Sequence, residues 1–211
     1  MTSATQRLIS GIKSFRSEYY EQRPERMQPL AIQGQSPRAL VIGCSDSRVD
    51  PALLTNAEPG ELFVVRNVAN LVPPYEPDDR FHGTSAALQF AVQDLAVSDI
   101  VILGHSACGG IKALIDGAAG TGQRREFITP WVSIAARHCA KLIDEHKDHA
   151  PDPADCEKAS IKGSLDNLMT FPFVRERVES GSLSIHGWWF ELKEGQLWEY
   201  DAGVDRFQRI I

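Results

Sequence analysis

The sequence predicts an α/β fold: a central, mostly parallel sheet with an antiparallel edge hairpin, flanked by helices and preceded by an N-terminal helical arm. Three observations carry this. Two runs, Leu40-Val41-Ile42-Gly43 and Val101-Ile102-Leu103-Gly104, share one shape, continuous apolar residues closed by glycine, as expected of strands buried on both faces of a parallel sheet. Helix-like sequence separates them, as crossover connections require. Near the C-terminus, Leu183–Leu192, the turn Lys193-Glu194-Gly195 and Gln196–Tyr200 show period-2 features, the pattern of a hairpin at a sheet edge.

The elements follow in order. Between Thr5 and Tyr20, the residues Leu8, Ile9, Ile12 and Phe15 recur at helical spacing and Tyr19 continues the stripe, so an amphipathic helix opens the chain. Glu21–Pro37, rich in Gln, Pro and Arg, reads as an arm of the kind that reaches a partner subunit. Residues 1–37 are therefore helix and arm, and 38–211 form a single α/β core with no internal repeat or linker. Strands are predicted at Ala39–Ile42, Leu62–Val65 and Ile100–Leu103. Asn67–Asp79, with Pro73, Pro74 and Pro77, must be loop. Gly83–Val97 is rich enough in Ala, Leu, Phe and Val to form a helix buried on most sides. Ile111–Ile115 starts another helix, Gly117–Gly122 is loop, and helices follow at Pro130–Lys147, Asp152–Met169 and Phe173–Ser180, with Pro172 as a break.

With 211 residues, 43% hydrophobic and 24% charged, the chain can build one sizeable core. A net charge of −6 without a basic stripe argues against phosphate-backbone binding, so no nucleic acid is expected as partner. No run of about 18 apolar residues suggests a membrane span, and Met1–Ser10 has no signal-peptide pattern. The expectation is a cytoplasmic protein without a membrane partner. In a reducing compartment four cysteines point to metal binding or inert thiols rather than disulfides; Cys139 and Cys156 read as free thiols with packing or surface roles.

The two matching strands deliver Cys44 on one side and His105 with Cys108 on the other to the carboxyl edge of one sheet, where sites form in parallel α/β folds. A lone histidine is more often a satisfied core residue and a lone cysteine a small buried hydrophobe. Together, three residues apart in a turn, His105 and Cys108 share a side, and Cys44 stands in the matching place. Three nitrogen and sulfur ligands with a fourth position open describe catalytic zinc, whereas structural zinc takes four protein ligands. Gly109-Gly110 lets the backbone come close to whatever the metal holds. His82, His138, His146, His149 and His186 have no comparable setting, and His146 and His149 read as surface residues.

Asp46 and Arg48, two residues apart in an extended turn, point the same way and can form a bidentate pair. Most such pairs only brace a loop, but this one stands beside a zinc thiolate. Two thiolates and a neutral imidazole leave Zn(II) with no net charge, so it polarises bound water less than an all-histidine site would. An adjacent carboxylate accepting the water's hydrogen bond then helps to orient the hydroxide. Two states stay open: Asp46 as that acceptor, or, if Arg48 lets go, as a fourth ligand that shuts the site.

These residues carry a family resemblance. Cys44-x-Asp46-x-Arg48, Arg66-Asn67-Val68-Ala69-Asn70 and Gly104-His105-Ser106-Ala107-Cys108-Gly109-Gly110 closely resemble the β-class carbonic anhydrases, from about Gly34 to Leu114. The resemblance implies one Zn(II) per subunit on Cys44, His105 and Cys108, the Asp46 and Arg48 dyad, and reversible hydration of carbon dioxide to bicarbonate and a proton by zinc-bound hydroxide. Gly34-Gln35-Ser36-Pro37 and Val68-Ala69-Asn70-Leu71-Val72-Pro73-Pro74-Tyr75 are similar to the plant-type branch. By that likeness Gln35 hydrogen-bonds substrate, Gly109 belongs to the substrate site, and Phe63 and Val68 from the neighbouring subunit line an apolar pocket for carbon dioxide. A homodimer, or a larger homo-oligomer built from dimers, is then the least active unit. A pocket tyrosine of that branch is Phe90 here, which removes a hydroxyl. Val41 stands where the branch with an inhibitory bicarbonate site carries tryptophan, so no such site is expected. A carbon disulfide or carbonyl sulfide hydrolase on the same fold and a noncatalytic zinc-binding scaffold are the alternatives.

Overall fold

The computed structural model describes residues 3–145 and 152–211. Helix α1, Ala4–Arg16, is capped by Ser3, whose hydroxyl accepts the Gln6 N–H while the Gln6 side chain accepts the Ser3 N–H. A wider helical turn, Ser17–Gln22, leads into α2, Pro24–Gln33. Much of the expected arm is thus helix. Pro24 sits at the first helical position, where its missing N–H has no intrahelical partner to lose, and Gly34, at φ 85°, ends the helix in a left-handed conformation.

The sheet has six strands: β1 Ala39–Cys44, β2 Leu62–Asn67, β3 Asp99–His105, β4 Ser184–Glu191, β5 Gln196–Asp201 and β6 Arg206–Arg209, side by side in the order β2-β1-β3-β4-β5-β6. β2, β1, β3 and β4 run parallel, while β5 and β6 turn back antiparallel. The hairpin expected at the edge is therefore a three-stranded meander whose first strand belongs to the parallel part. β6 has a single apolar residue, Phe207, in four, too little for a period to show. Helices α3 (Pro51–Thr55), α4 (Gly83–Gln89), α5 (Gly109–Ala118), α6 (Ile128–Val132), α7 (Ala136–Glu145), α8 (Pro153–Leu168) and α9 (Pro172–Glu179) connect the strands.

In register, Leu40 pairs with Ile100 and Ile42 with Ile102. These four pack with Leu88, Val92, Ile161, Leu165, Leu168 and Trp189 into the main core, while Val41, Val101 and Leu103 are buried on the opposite face. Both faces of β1 and β3 are dry, as their unbroken apolar runs require, and each such Leu or Ile contributes about 1.5–3 kcal/mol. Gly104 belongs to this packing: a Cβ there would meet Ile161 Cδ1 at 2.6 Å. The expected Gly83–Val97 helix is α4 followed by a wide turn, Phe90–Asp94, and it is buried on one side only. Leu88, Ala91 and Val92 face inward, while Gln89 and Phe90 are exposed. The predicted Pro130–Lys147 helix is α6, a short 3-10 turn at Ser133–Ala135, and α7. His146 and His149 lie outside the described residues.

Helix α8 is buried despite its polar sequence. Cys156, Glu157, Ser160, Ser164 and Asn167 are all shielded, and their polar atoms hold other segments. Ser164 Oγ accepts the Val72 N–H at 3.2 Å and donates to the Asn70 carbonyl at 3.3 Å, and Asn167 Nδ2 donates to the Val72 carbonyl at 2.8 Å. Cys139 and Cys156 are free and fully buried, in a smaller core with Ile111, Ile115 and Ala135. They pack.

Candidate active site

β1 ends at Cys44 and β3 at His105, on neighbouring parallel strands, and Cys108 caps the N-terminus of α5. The ligand atoms of Cys44, His105 and Cys108 all lie within 4.8 Å of one another, and all three residues are buried. Cys44 Sγ and Cys108 Sγ are 4.0 Å apart, close to the roughly 3.8 Å that tetrahedral zinc with bonds of about 2.3 Å to sulfur demands. His105 Nδ1 donates to the Ser106 carbonyl at 2.9 Å, which leaves Nε2 as the lone-pair nitrogen. That atom is buried with no hydrogen-bond partner, which is costly for a polar atom unless a ligand completes it. Two sulfurs and one neutral imidazole fit zinc.

The backbone is shaped around the sulfurs. The backbone N–H groups of Asp46 and Ala69 favour the Cys44 thiolate, and those of Gly110 and Ile111 favour a thiolate at Cys108. Ala69 adopts a left-handed conformation, φ 65°, a strained choice for alanine. In the absence of metal a hydrogen bond from Cys108 holds the Cys44 thiol well below its ordinary pKa against the opposing pull of burial, and the same bond pushes Cys108 up. Burial works against a charged His105, but the Cys44 thiolate and the Ser106 carbonyl outweigh it and raise the imidazole. Gly110 is needed for a close approach: a Cβ there would meet Ala69 Cβ and Val68 Cγ1 at 2.8 Å. Gly109 has open space beside it.

Arg66 closes the loop after Cys44. Its Nε donates to the Cys44 carbonyl at 3.0 Å, Nη2 to the Asp46 carbonyl at 2.7 Å and Nη1 to Asp50 Oδ2 at 2.7 Å. Asp50 in turn caps α3 through the Ala52 and Leu53 N–H groups. Held this way, Asp46 meets Arg48 as a fork. Arg48 Nε donates to Asp46 Oδ1 at 2.9 Å, Nη2 to Oδ2 at 2.7 Å, and the Arg48 backbone N–H to Oδ1 at 3.0 Å. The guanidinium holds the Asp46 carboxyl far below the usual carboxylate range, with burial opposing. Asp46 Oδ2 lies 4.0 Å from His105 Nε2, so the carboxylate reaches the edge of the ligand cluster.

The expected substrate residues are more dispersed. Phe63 and Phe90 touch, ring centroids 5.9 Å apart, as a partly exposed apolar patch. Val68 is half-buried against Gly110, and its carbonyl accepts the Trp131 indole N–H at 2.7 Å. Gln35 is exposed beyond α2 and makes no hydrogen bond among the described residues.

A family model described as carbonic anhydrase matches residues 39–197. Beta carbonic anhydrase 3 of Arabidopsis thaliana is 40% identical over 205 residues, 94% of this chain and 78% of that protein. The chain belongs to the β-class carbonic anhydrase family. Mitochondrial beta carbonic anhydrase 6 of the same plant is 39% identical over 196 residues, 91% of this chain and 66% of that protein. Among solved structures, the β-carbonic anhydrase CcaA superposes with a TM-score of 0.89 at 33% identity, covering 100% of this chain and 93% of that one. A Sordaria macrospora structure, from a report on two tetrameric beta-carbonic anhydrases, gives 0.76 at 28% identity, covering 98% and 96%. The plant relatives agree with the plant-type reading of the motifs. In this β-class carbonic anhydrase Cys44, His105 and Cys108 lie together and Asp46 pairs with Arg48, whereas the sequence pattern singled out neither Arg66 nor Glu157. Glu157 carried one signal: with Ile161, Leu165 and Leu168 it occupies the buried stripe of α8, where a carboxylate needs a reason to be.

Proposed function

We propose that this chain catalyses the reversible hydration of carbon dioxide to bicarbonate and a proton, with zinc held by Cys44, His105 and Cys108. The observation that carries the reading is a buried, partnerless His105 Nε2 set between two sulfurs and beside a carboxylate fixed by Arg48. Zinc at such a site supplies a water acidified towards neutral pH and a Lewis-acid centre. Asp46, kept ionised, accepts a hydrogen bond from the attacking water and aims its lone pair. Arg48 occupies both Asp46 oxygens, which keeps that carboxylate out of the fourth position and argues against a noncatalytic scaffold. Gln35 and Gly109 orient substrate, Phe63 and Val68 from a neighbouring subunit line an apolar pocket for carbon dioxide, and Phe90 stands at a pocket position without a hydroxyl. Stopped-flow assays run in parallel on carbon dioxide, carbon disulfide and carbonyl sulfide test this. Turnover of carbon dioxide with none of the sulfur compounds is expected; the reverse selectivity overturns it.

The same reading requires a homo-oligomer. No residue of α1 is buried, and Leu8, Ile9, Ile12 and Phe15 expose their apolar stripe to solvent, a face suited to a second copy of the chain. Leu8→Lys with Ile12→Lys is expected to convert a dimer or larger species to monomer in sedimentation velocity and to abolish activity with it. An active monomer contradicts the shared pocket. The cytoplasm is the proposed compartment, and no helix among the described residues is long and apolar enough to cross a membrane. Fractionation of the native host tests it: recovery in an organelle, as the name of the mitochondrial relative would suggest, overturns it.

A further inference from the structure

Behind the ligand cluster, one peptide unit is gripped from both ends. The Ala107 carbonyl accepts Arg48 Nη2 at 3.2 Å, and the N–H on the other side of the same peptide bond, that of Cys108, donates to Glu157 Oε1 at 3.0 Å. Ala107 is in a left-handed conformation, φ 56°, so this peptide plane is not one the backbone adopts unaided. Glu157 is 3% exposed. Its second oxygen accepts the Trp189 indole N–H at 3.1 Å, and it forms no ion pair with Lys or Arg among the described residues. Burial raises its carboxyl pKa. A buried carboxylate on an apolar stripe is costly, and its two hydrogen bonds tie α8 to the metal loop and to β4.

We propose that Glu157 is a positioning residue for the dyad and the Cys108 ligand, acting through the rigid Ala107–Cys108 peptide. Since that unit is planar, fixing its N–H fixes the direction of its carbonyl. The chain of contacts then runs from the Glu157 carboxylate through N–H and C=O to the Arg48 guanidinium and on to Asp46, each bond polarising the next. Without Glu157 the plane is free to turn. Arg48 loses the contact outside Asp46 that sets its height above the site, and the Cys108 sulfur loses its fixed approach. The proposal rests on the carbonic anhydrase reading above for its catalytic half and on the ligand geometry alone for its metal half.

Two measurements on the full-length holoenzyme test it. Competition with a chromophoric chelator reads zinc affinity without any turnover. Glu157→Ala is expected to weaken it about 10–100-fold, the usual loss for an outer partner of a ligand. A double-mutant cycle of turnover with Arg48→Ala reads the coupling: Glu157→Ala should lower kcat about 10–100-fold with KM little changed in the native background, yet by less than about threefold when Arg48 is already gone. A merely structural role predicts losses that multiply in full. Multiplying losses, or unaltered zinc affinity with unaltered kcat, overturn the proposal. Should Glu157→Ala fail to fold by circular dichroism, Glu157→Gln, of the same shape and able to satisfy only one of the two N–H donors, goes through the same cycle under the same criteria. If the native enzyme shows no hydration of carbon dioxide, the functional reading falls while the chelator competition still decides the role of Glu157.

Discussion

Replacing Cys108 with Ala is expected to leave the protein folded, strip it of zinc and reduce carbon dioxide hydration by about 10³-fold or more, as losing a metal that both acidifies water and polarises substrate should. Cys44→Ala and His105→Ala are expected to do the same. The fold should survive because the main core of Leu40, Ile42, Ile100, Ile102, Ile161 and Leu168 lies apart from the Cys44, His105 and Cys108 cluster, so a bound metal would add stability without creating the structure. A metal present at 100 times its dissociation constant contributes about 2.7 kcal/mol, or a melting shift of about 5–10 °C in a chain of this size. Elemental analysis of each purified variant, paired with its melting temperature, checks both halves. A variant that retains one zinc per chain contradicts the ligand assignment.

Arg48→Ala is expected to lower turnover by about 10–100-fold while zinc remains bound. The side chain makes two hydrogen bonds to Asp46 and one to the Ala107 carbonyl, and its removal frees the carboxylate to swing towards His105 Nε2, 4.0 Å away. Arg48→Lys should recover little, because an ammonium cannot match the two-pronged geometry. The pH dependence has a definite sign. Asp46 is held below its unfolded pKa by Arg48, so its pairing stabilises the native state fully above the ordinary Asp range of about 4 and loses that contribution as pH falls towards the depressed value. The stability difference between wild type and Arg48→Ala should therefore be constant at neutral pH and shrink in acid. Unchanged turnover in Arg48→Ala removes the dyad from the account.

The clustering of Cys44, His105 and Cys108 was legible because two strands of matching shape lead to them, and parallel strands of one sheet bring their carboxyl ends to one edge. The dyad was legible because two residues of spacing in a turn is a local matter. What escaped depends on tertiary contact. Arg66 acts on Cys44, Asp46 and Asp50 through a strand pairing that its own neighbours do not announce. Pro24 looked like a sign of irregular chain, but at a first helical position it starts α2. Cys156 and Glu157 sit in a polar stretch that composition assigns to the surface; apart from the spacing of Glu157 with Ile161, Leu165 and Leu168, it is the packing of α8 between the sheet and α7 that makes them interior. β6 was invisible because a four-residue edge strand buries almost nothing.

The most direct test of the account is a zinc titration of the metal-free protein followed by stopped-flow hydration of carbon dioxide. Activity should be negligible at the start, rise in proportion to added zinc and level off at one equivalent per chain. Full activity before any zinc is added, or one equivalent bound with no hydration, would contradict it.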